Sequence, residues 1–197
     1  MKIALVGSRW FGAETLKILQ ERGDAVHVVG LVADDALARA ATAAGLPLVV
    51  LDHARKVTAA HVPDDTDVIL AAHAHAFITA DARAKARIAS IGYHPSLLPR
   101  HRGIAAVEWT MLSKDPIAGG SIYHLSETMD GGALALQDWC FVYPDDDAAS
   151  LWRRELGPMG LRLIREVLGV IDRDGTAPAR PQDPRAATLA PALKPEG

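Results

Sequence analysis

A chain of 197 residues, 49% of them hydrophobic and 23% charged, has enough apolar material for one sizeable core, which excludes a disordered tail or a disulfide-stapled miniprotein. The 21 lysines and arginines against 24 aspartates and glutamates give a net charge of −3, so we expect no nucleic acid as partner. The single Cys140, the absence of a signal peptide and the lack of any apolar run near ~18 residues predict a cytoplasmic protein without membrane attachment.

Through the first half of the chain, short apolar runs alternate with amphipathic stretches. The runs predict strands over 2–6, 26–32, 48–51, 67–72 and 89–93, and the stretches predict helices over 13–22, 34–44 and 80–88. Strands that alternate with helices form right-handed βαβ units. The sequence therefore predicts an α/β fold with an open, mostly parallel, twisted sheet.

The pattern changes after about residue 115. Two longer runs, 120–125 and 133–142, flank the polar loop 127–132, so we expect an antiparallel pair of strands at the edge of the sheet. The last stretch is rich in proline, and we expect one domain over 1–175 followed by an extended C-terminal arm over 176–197.

A long helix is predicted over 147–171, where Pro158 should kink or split it. The apolar residues that share one face of this helix are Leu156, Met159, Leu163, Val167 and Ile171.

The loop after the first strand reads Gly7-Ser-Arg-Trp-Phe-Gly12, at the place where nucleotide-binding folds hold a phosphate. It lacks the dinucleotide fingerprint because Arg9 occupies the place of the second glycine. Two interpretations stay open. Arg9 contacts an anion or a substrate, or the loop is a tight turn whose Trp10 and Phe11 pack onto the sheet.

His94 is a candidate catalytic residue because it ends a predicted buried strand, and open α/β sheets bind ligands at that edge. Asp130 lies far along the chain, in the loop between the two antiparallel strands. An imidazole and a carboxylate form an acid–base pair when the fold brings them together. Each residue also has a purely structural interpretation, His94 as a hydrogen-bonded histidine and Asp130 as a turn residue.

The stretch His94-Pro-Ser-Leu-Leu-Pro-Arg-His-Arg-Gly103, followed by Trp109, Gly120, Met129-Asp-Gly-Gly132 and Gln137, resembles the folate-dependent formyltransferase family. Locally it is most similar to the hydrolase domain of 10-formyltetrahydrofolate dehydrogenase. The resemblance implies a Rossmann-like catalytic domain that takes 10-formyltetrahydrofolate as formyl donor and passes the formyl group to an amine or to water.

By this resemblance, His94 would hydrogen-bond the formyl oxygen as charge develops in a tetrahedral intermediate. Asp130 would orient the imidazole and accept a proton from the attacking amine, directly or through a water. No metal is expected, because His73-Ala-His75 without neighbouring cysteines is a weak zinc motif. The residues that the resemblance implies as folate contacts or pocket walls are His75, Ala76, Phe77, Ile78, Leu97, Leu98, Thr128 and Met129.

One position departs from the family. Most members carry asparagine two residues before the histidine, where this chain has Gly92, and losing such a donor can cost about a hundredfold in rate. Three interpretations stay open. The chain is a hydrolase-like or altered transferase, another donor such as Tyr93, His73 or His75 replaces the amide, or it is a non-catalytic folate-binding module.

Two features of the chain indicate which molecule accepts the formyl group. By the resemblance, a length of 197 residues leaves no room for the C-terminal barrel of the tRNA enzymes. Trp10 and Phe11 fill the loop that in ribonucleotide enzymes holds the phosphate, which disfavours that acceptor, although Arg9 keeps it open. We therefore expect a small amine as acceptor, with water as the alternative. The sequence leaves open a homodimer.

Overall fold

The protein is described from a computed structural model, which covers residues 1–52 and 55–193. Within these ranges the strands are β1 Lys2–Gly7, β2 Ala25–Gly30, β3 Leu48–Val50, β4 Lys56–Val57, β5 Val68–Ala72, β6 Phe77–Ile78, β7 Ala89–His94, β8 Ile117–His124 and β9 Leu134–Phe141. The helices are α1 Arg9–Glu21, α2 Ala36–Ala43, α3 Ala80–Arg83, α4 Ala106–Leu112, α5 Ala148–Leu151 and α6 Gly157–Asp174, with a π-helical turn over Trp152–Leu156 and 3-10 turns over Ala59–His61 and Pro184–Ala186.

Among the described residues, seven strands form one sheet in the order β3-β2-β1-β5-β7-β8-β9, and β4 pairs with β6 in a separate two-stranded sheet. β1 runs parallel to β2 and β5, β2 to β3, and β5 to β7. β8 and β9 are antiparallel. The predicted α/β class, with a mostly parallel sheet and an antiparallel edge, is confirmed.

The chain divides into two compact units. The first comprises the described residues of Met1–Gly92 together with Leu168–Ala177, and the second comprises Tyr93–Val167 and the described residues from Pro178 onward. In the second unit the proline-rich stretch pairs with β9, since Arg180 and Leu134 exchange backbone hydrogen bonds of 2.8 and 2.7 Å. The division into a domain over 1–175 and an arm over 176–197 stays a prediction.

In the first unit, β1 and β5 are buried on both faces, as their continuous apolar runs predict. The two strands approach closely where β1 ends, because a Cβ at Gly7 would lie 2.3 Å from the carbonyl oxygen of Ala72. Only glycine allows this contact. Helix α1 follows at Arg9, four residues before the predicted start, so the strand passes almost directly into the helix.

In the second unit, the predicted interruption at Pro158 takes the form of a π-helical turn over Trp152–Leu156, directly before α6. Proline lacks an N–H and its ring crowds the carbonyl four residues earlier, so the helix widens at this point. The five residues predicted to share one helix face are all buried. Across the described residues, no helix combines the length and the apolar character needed to span a bilayer.

Candidate active site

His94 is the last residue of β7, and its side chain is almost fully buried. Its Nε2 atom lies 2.8 Å from the carbonyl oxygen of His101. A carbonyl only accepts hydrogen bonds, so Nε2 carries the hydrogen and donates it. The other ring nitrogen, Nδ1, lies 3.6 Å from Oδ2 of Asp130. The structure thus brings together the two residues that the sequence analysis pairs.

Asp130 lies in the loop between β8 and β9, with a left-handed φ of 50° that aspartate tolerates better than most residues. Both of its carboxylate oxygens accept hydrogen bonds. The hydroxyl of Tyr123 donates to Oδ1 at 2.7 Å, and the backbone N–H of Gly103 donates to Oδ2 at 2.8 Å. The carboxylate is therefore fixed in orientation beside the His94 ring.

Tyr123 is a site residue that the sequence analysis misses. Its ring packs edge-on against that of His94, with centroids 6.3 Å apart. Burial first, and then the charge of Asp130 and the hydrogen bond to it, raise the pKa of Tyr123 well above its ordinary value. The hydroxyl is therefore a donor at neutral pH. The alternation of apolar and polar residues along β8 predicts that Tyr123 lies on a strand. It does not predict that the side chain contacts His94 and Asp130.

The proline-rich stretch also reaches the site. Gln182 donates from Nε2 to the carbonyl oxygens of Asp130 and Gly132, at 2.8 and 2.7 Å. Its own Oε1 accepts from Nε and Nη2 of Arg102, at 3.2 and 2.7 Å. These bonds hold the backbone at Asp130 and two residues beyond it, a role that proline content alone does not predict.

A polar network holds the loop that follows His94. Ser121 accepts from the N–H of Leu98 at 3.1 Å and donates to the carbonyl oxygen of Ser96 at 2.6 Å. Gln137 donates to the carbonyl oxygen of Leu98 at 2.9 Å. The Leu98 side chain is buried in a cluster with Tyr123 and Leu134, whereas Leu97 is half-buried.

Gly92 and His94 point to the same face of β7, because side chains alternate along a strand. Tyr93 points to the opposite face, where it is buried and its hydroxyl donates to the carbonyl oxygen of Leu156 at 2.6 Å. Tyr93 is therefore not the replacement for the family's amide donor. His73 and His75, the other two candidates, lie in the first unit.

In the first unit, His73 follows β5 with a left-handed φ of 56°. The Ser8 hydroxyl donates its hydrogen to the carbonyl oxygen of His73 at 2.8 Å. The Ser8 oxygen therefore accepts from the Nδ1 atom of His73, at 3.0 Å. Burial, and then the nearby charges of His75 and Arg9, lower the pKa of His73 to about 4. Burial, and then Arg9 and Arg55, also lower the pKa of His75. Both rings are neutral at pH 7.

The remaining predicted folate contacts differ in exposure. Ile78 is buried and Ala76 half-buried, but Phe77 on β6 is 50% exposed in the first unit. In the second unit, Thr128 is exposed and Met129 is 69% exposed. Phe77 and Met129 are thus large apolar side chains that solvent reaches, each within its own unit.

The loop after β1 departs in part from its predicted packing. Phe11 is buried as the tight-turn interpretation requires, but Trp10 is about half exposed, and the prediction that it packs onto the sheet is wrong. Trp10 lies on the same face of α1 as the exposed Lys17, seven residues later, whereas the buried face begins at Phe11. Arg9 donates its N–H to the Asp35 carboxylate. An anion contact by the Arg9 side chain stays a prediction.

Across residues 1–52 and 55–193, no group of three or more histidine, cysteine, aspartate or glutamate side chains could hold a metal ion. The chemistry available from the described residues of the second unit is that of an imidazole beside an oriented carboxylate. That arrangement can stabilise a developing oxyanion and accept a proton.

Two solved structures share this fold. An N-formyltransferase from Helicobacter canadensis, solved with folinic acid and dTDP-3-aminofucose, has a TM-score of 0.79 at 15% identity, covering 97% of this chain and 71% of that one. Glycinamide ribonucleotide transformylase 1 from Symbiobacterium toebii has a TM-score of 0.77 at 20% identity, covering 93% of this chain and 94% of that one.

The sequence comparisons are more specific. The chain is 35% identical over 200 residues to the mitochondrial 10-formyltetrahydrofolate dehydrogenase of Mus musculus, a match that covers 95% of this chain. It spans only 22% of that relative's length. Residues 1–158 match the family model described as formyl transferase. Because that model covers most of the chain and the fold agrees, the chain belongs to the formyl transferase family.

Proposed function

We propose that this chain catalyses transfer of the formyl group of 10-formyltetrahydrofolate to a small amine, with His94 and Asp130 as the catalytic pair. The observation that carries the proposal is the 3.6 Å approach of the His94 Nδ1 atom to the Asp130 carboxylate. Family membership supports the reaction class, and the relatives named as 10-formyltetrahydrofolate dehydrogenases support the formyl donor.

In the proposed reaction the amine nitrogen attacks the formyl carbon, and the bond between that carbon and the folate nitrogen breaks. The imidazole of His94, when Nδ1 also carries a proton, donates from Nδ1 to the formyl oxygen and stabilises the negative charge that develops there. The carboxylate of Asp130 accepts the proton that the amine loses, and tetrahydrofolate leaves with a proton on its nitrogen.

The exposure of Phe77 and Met129 supports a role for each in contacting the pterin ring of the substrate. The other proposed contacts are His75, Ala76, Ile78, Leu97, Leu98 and Thr128. We expect small-molecule substrates only, without nucleic acid, a metal or a membrane.

A second candidate function is hydrolysis of 10-formyltetrahydrofolate to tetrahydrofolate and formate. Two observations favour it. The identity to 10-formyltetrahydrofolate dehydrogenases reaches 35%, and Gly92 supplies no amide where most transferases carry asparagine. The third candidate, a folate-binding module without activity, rests on the same glycine.

One assay separates the three functions. The protein is incubated with 10-formyltetrahydrofolate, first alone and then with a panel of amino sugars and amino acids, while tetrahydrofolate release is followed by absorbance. Release only with an amine supports the transferase, and release without an amine supports the hydrolase. Binding without release under any condition contradicts both enzymatic functions.

A further inference from the structure

We propose that His101, Asp115 and Thr188 form an anchor that fixes the tautomer of His94, so that Nδ1 is the nitrogen that serves the reaction. The three are positioning residues, because they act on the reacting groups through His94. The inference rests on the proposed function only in treating His94 as the catalytic imidazole.

The hydrogen bond of the His94 ring determines which of its nitrogens carries the hydrogen. Nε2 donates to the carbonyl oxygen of His101 at 2.8 Å, and a carbonyl cannot return a hydrogen. The hydrogen bond that one ring nitrogen makes selects the tautomer of a histidine. Nε2 therefore keeps its hydrogen, and Nδ1, which faces Asp130, is the nitrogen that takes up and releases a proton and that donates to a substrate oxygen only while it is protonated.

The carbonyl group of His101 is held in place by contacts of the same residue. His101 has a left-handed φ of 55°, a conformation that a non-glycine residue keeps only where its surroundings hold it. Two contacts do so. The backbone N–H of His101 donates to Oγ1 of Thr188 at 2.8 Å, and the ring Nε2 of His101 donates to Oδ2 of Asp115 at 2.7 Å.

Asp115, the acceptor of the His101 hydrogen bond, is also held by Arg100. Its carboxylate oxygens each lie 3.0 Å from Nη2 of Arg100. Burial works to raise the pKa of Asp115, but the hydrogen bonds from His101 and Arg100 outweigh it, so the pKa lies below its ordinary value. The acceptor is thus a charged carboxylate, which makes the stronger kind of hydrogen bond.

Among the described residues, the His101 ring makes one hydrogen bond, the one to Asp115. The ring is buried, and within the described part of the chain its Nδ1 atom has no hydrogen-bond partner. Asp115 therefore holds the His101 ring and Thr188 holds the backbone that presents the carbonyl to His94, so loss of either contact should let that carbonyl shift.

The test is the tautomer of His94, measured by ¹⁵N NMR of histidine-labelled protein and assigned by the signals that His94→Ala removes. In the wild type, Nδ1 of the neutral ring should show the shift of an unprotonated nitrogen. In Asp115→Ala and in Thr188→Val we expect a mixture of both tautomers. Asp115→Asn, whose amide oxygen still accepts from His101, should restore the wild-type pattern.

Asp138→Ala is the matched control, because this aspartate on β9 pairs with Arg162 and not with the anchor. It should leave the tautomer unchanged. The proposal is overturned if His94 keeps its wild-type tautomer in both Asp115→Ala and Thr188→Val. It is also overturned if the control Asp138→Ala shows a mixture of tautomers. If Asp115→Ala does not fold, Thr188→Val decides, since it removes a single neutral contact.

Activity provides a separate readout. If the proposed function holds, Asp115→Ala should lower kcat about tenfold to a hundredfold with little change in KM. A tautomer change in a protein whose wild type never releases tetrahydrofolate contradicts the proposed function but supports the anchor. An unchanged tautomer in an active enzyme contradicts the anchor alone.

Discussion

The approach of His94 to Asp130 is longer than a hydrogen bond, although both groups are nearly buried. Tyr123 and Gly103 already donate to the carboxylate, so its orientation does not depend on the histidine. Contacts between catalytic groups are often long without substrate and shorten when it binds. The proposed function therefore predicts that this distance shortens when substrate binds.

His94→Ala should abolish tetrahydrofolate release while the protein stays folded, because the ring is the proposed group that stabilises the oxyanion. His124→Ala is the matched control. His124 also lies at the end of a strand and bonds a backbone carbonyl, that of Pro178, at 2.9 Å. Activity and circular dichroism of both variants check this, and full activity in His94→Ala would refute the assigned role.

Tyr123→Phe removes one donor from Asp130 and keeps the ring that packs against His94. We expect the free energy of unfolding to fall by about 1–3 kcal/mol, because a buried carboxylate oxygen is left unsatisfied. We also expect turnover to fall, since the carboxylate loses orientation. Urea denaturation and the folate assay measure the two effects. Tyr143→Phe, at an exposed tyrosine beside Arg154, should change neither, and equal effects in both variants would contradict the argument.

At the scale of elements, the loop between β8 and β9 decides where Asp130 lies. A Cβ at Gly132 would fall 1.8 Å from the carbonyl oxygen of His124, at the end of β8. That distance is impossible for any side chain, so the loop closes tightly on β8 only because this residue is glycine. The sequence pattern Asp-Gly-Gly thus predicts a turn, and the packing explains its second glycine.

Gly132→Ala should lower the free energy of unfolding by about 1–3 kcal/mol and reduce turnover, because the loop must shift to accept the methyl group. Gly169→Ala is the matched control. It lies within α6 with nothing within 4 Å of the added carbon, so it should stabilise the protein by about 1 kcal/mol. Thermal denaturation gives the sign of each change, and destabilisation by both variants would contradict the steric argument.

At the scale of the whole molecule, charge and burial decide how stability depends on pH. The net charge of −3 is small, so long-range repulsion contributes little near neutrality. One specific contribution comes from the neutral histidines of the first unit. The pKa of His73 falls from an ordinary 6.5 to about 4, chiefly because of burial.

The sign follows from proton uptake. Between pH 6.5 and about 4 the unfolded chain binds a proton at His73 that the folded chain does not, so stability is complete above pH 6.5 and falls as the pH drops through this window. Between pH 7 and 5 we expect a loss of about 1 kcal/mol from this residue, after allowing for its partial exposure. His73→Asn should remove this part of the loss, as measured by urea denaturation at both pH values. Parallel losses in wild type and variant would contradict the assignment.

Much of the fold could be predicted because its signals are local. Alternation of apolar runs with amphipathic stretches gives the βαβ order, and the two longer runs give the antiparallel edge. The elements that sequence analysis misses are β4, β6 and α4. The first two are two-residue strands, too short to show a period of two. Helix α4 begins after Ala105, which offers no side-chain cap.

The candidate site, like the fold, could be predicted from the sequence only in part. The motif around His94 and the loop at Asp130 mark the two chemical groups, because residue types and turn chemistry are written along the chain. The sequence by itself therefore determined the fold class and the family, and it supplied His94 and Asp130 as the proposed pair. The tertiary structure alone decided their distance, the donors Tyr123 and Gln182 and the carbonyl of His101, because side chains far apart in sequence meet only through strand register and loop closure.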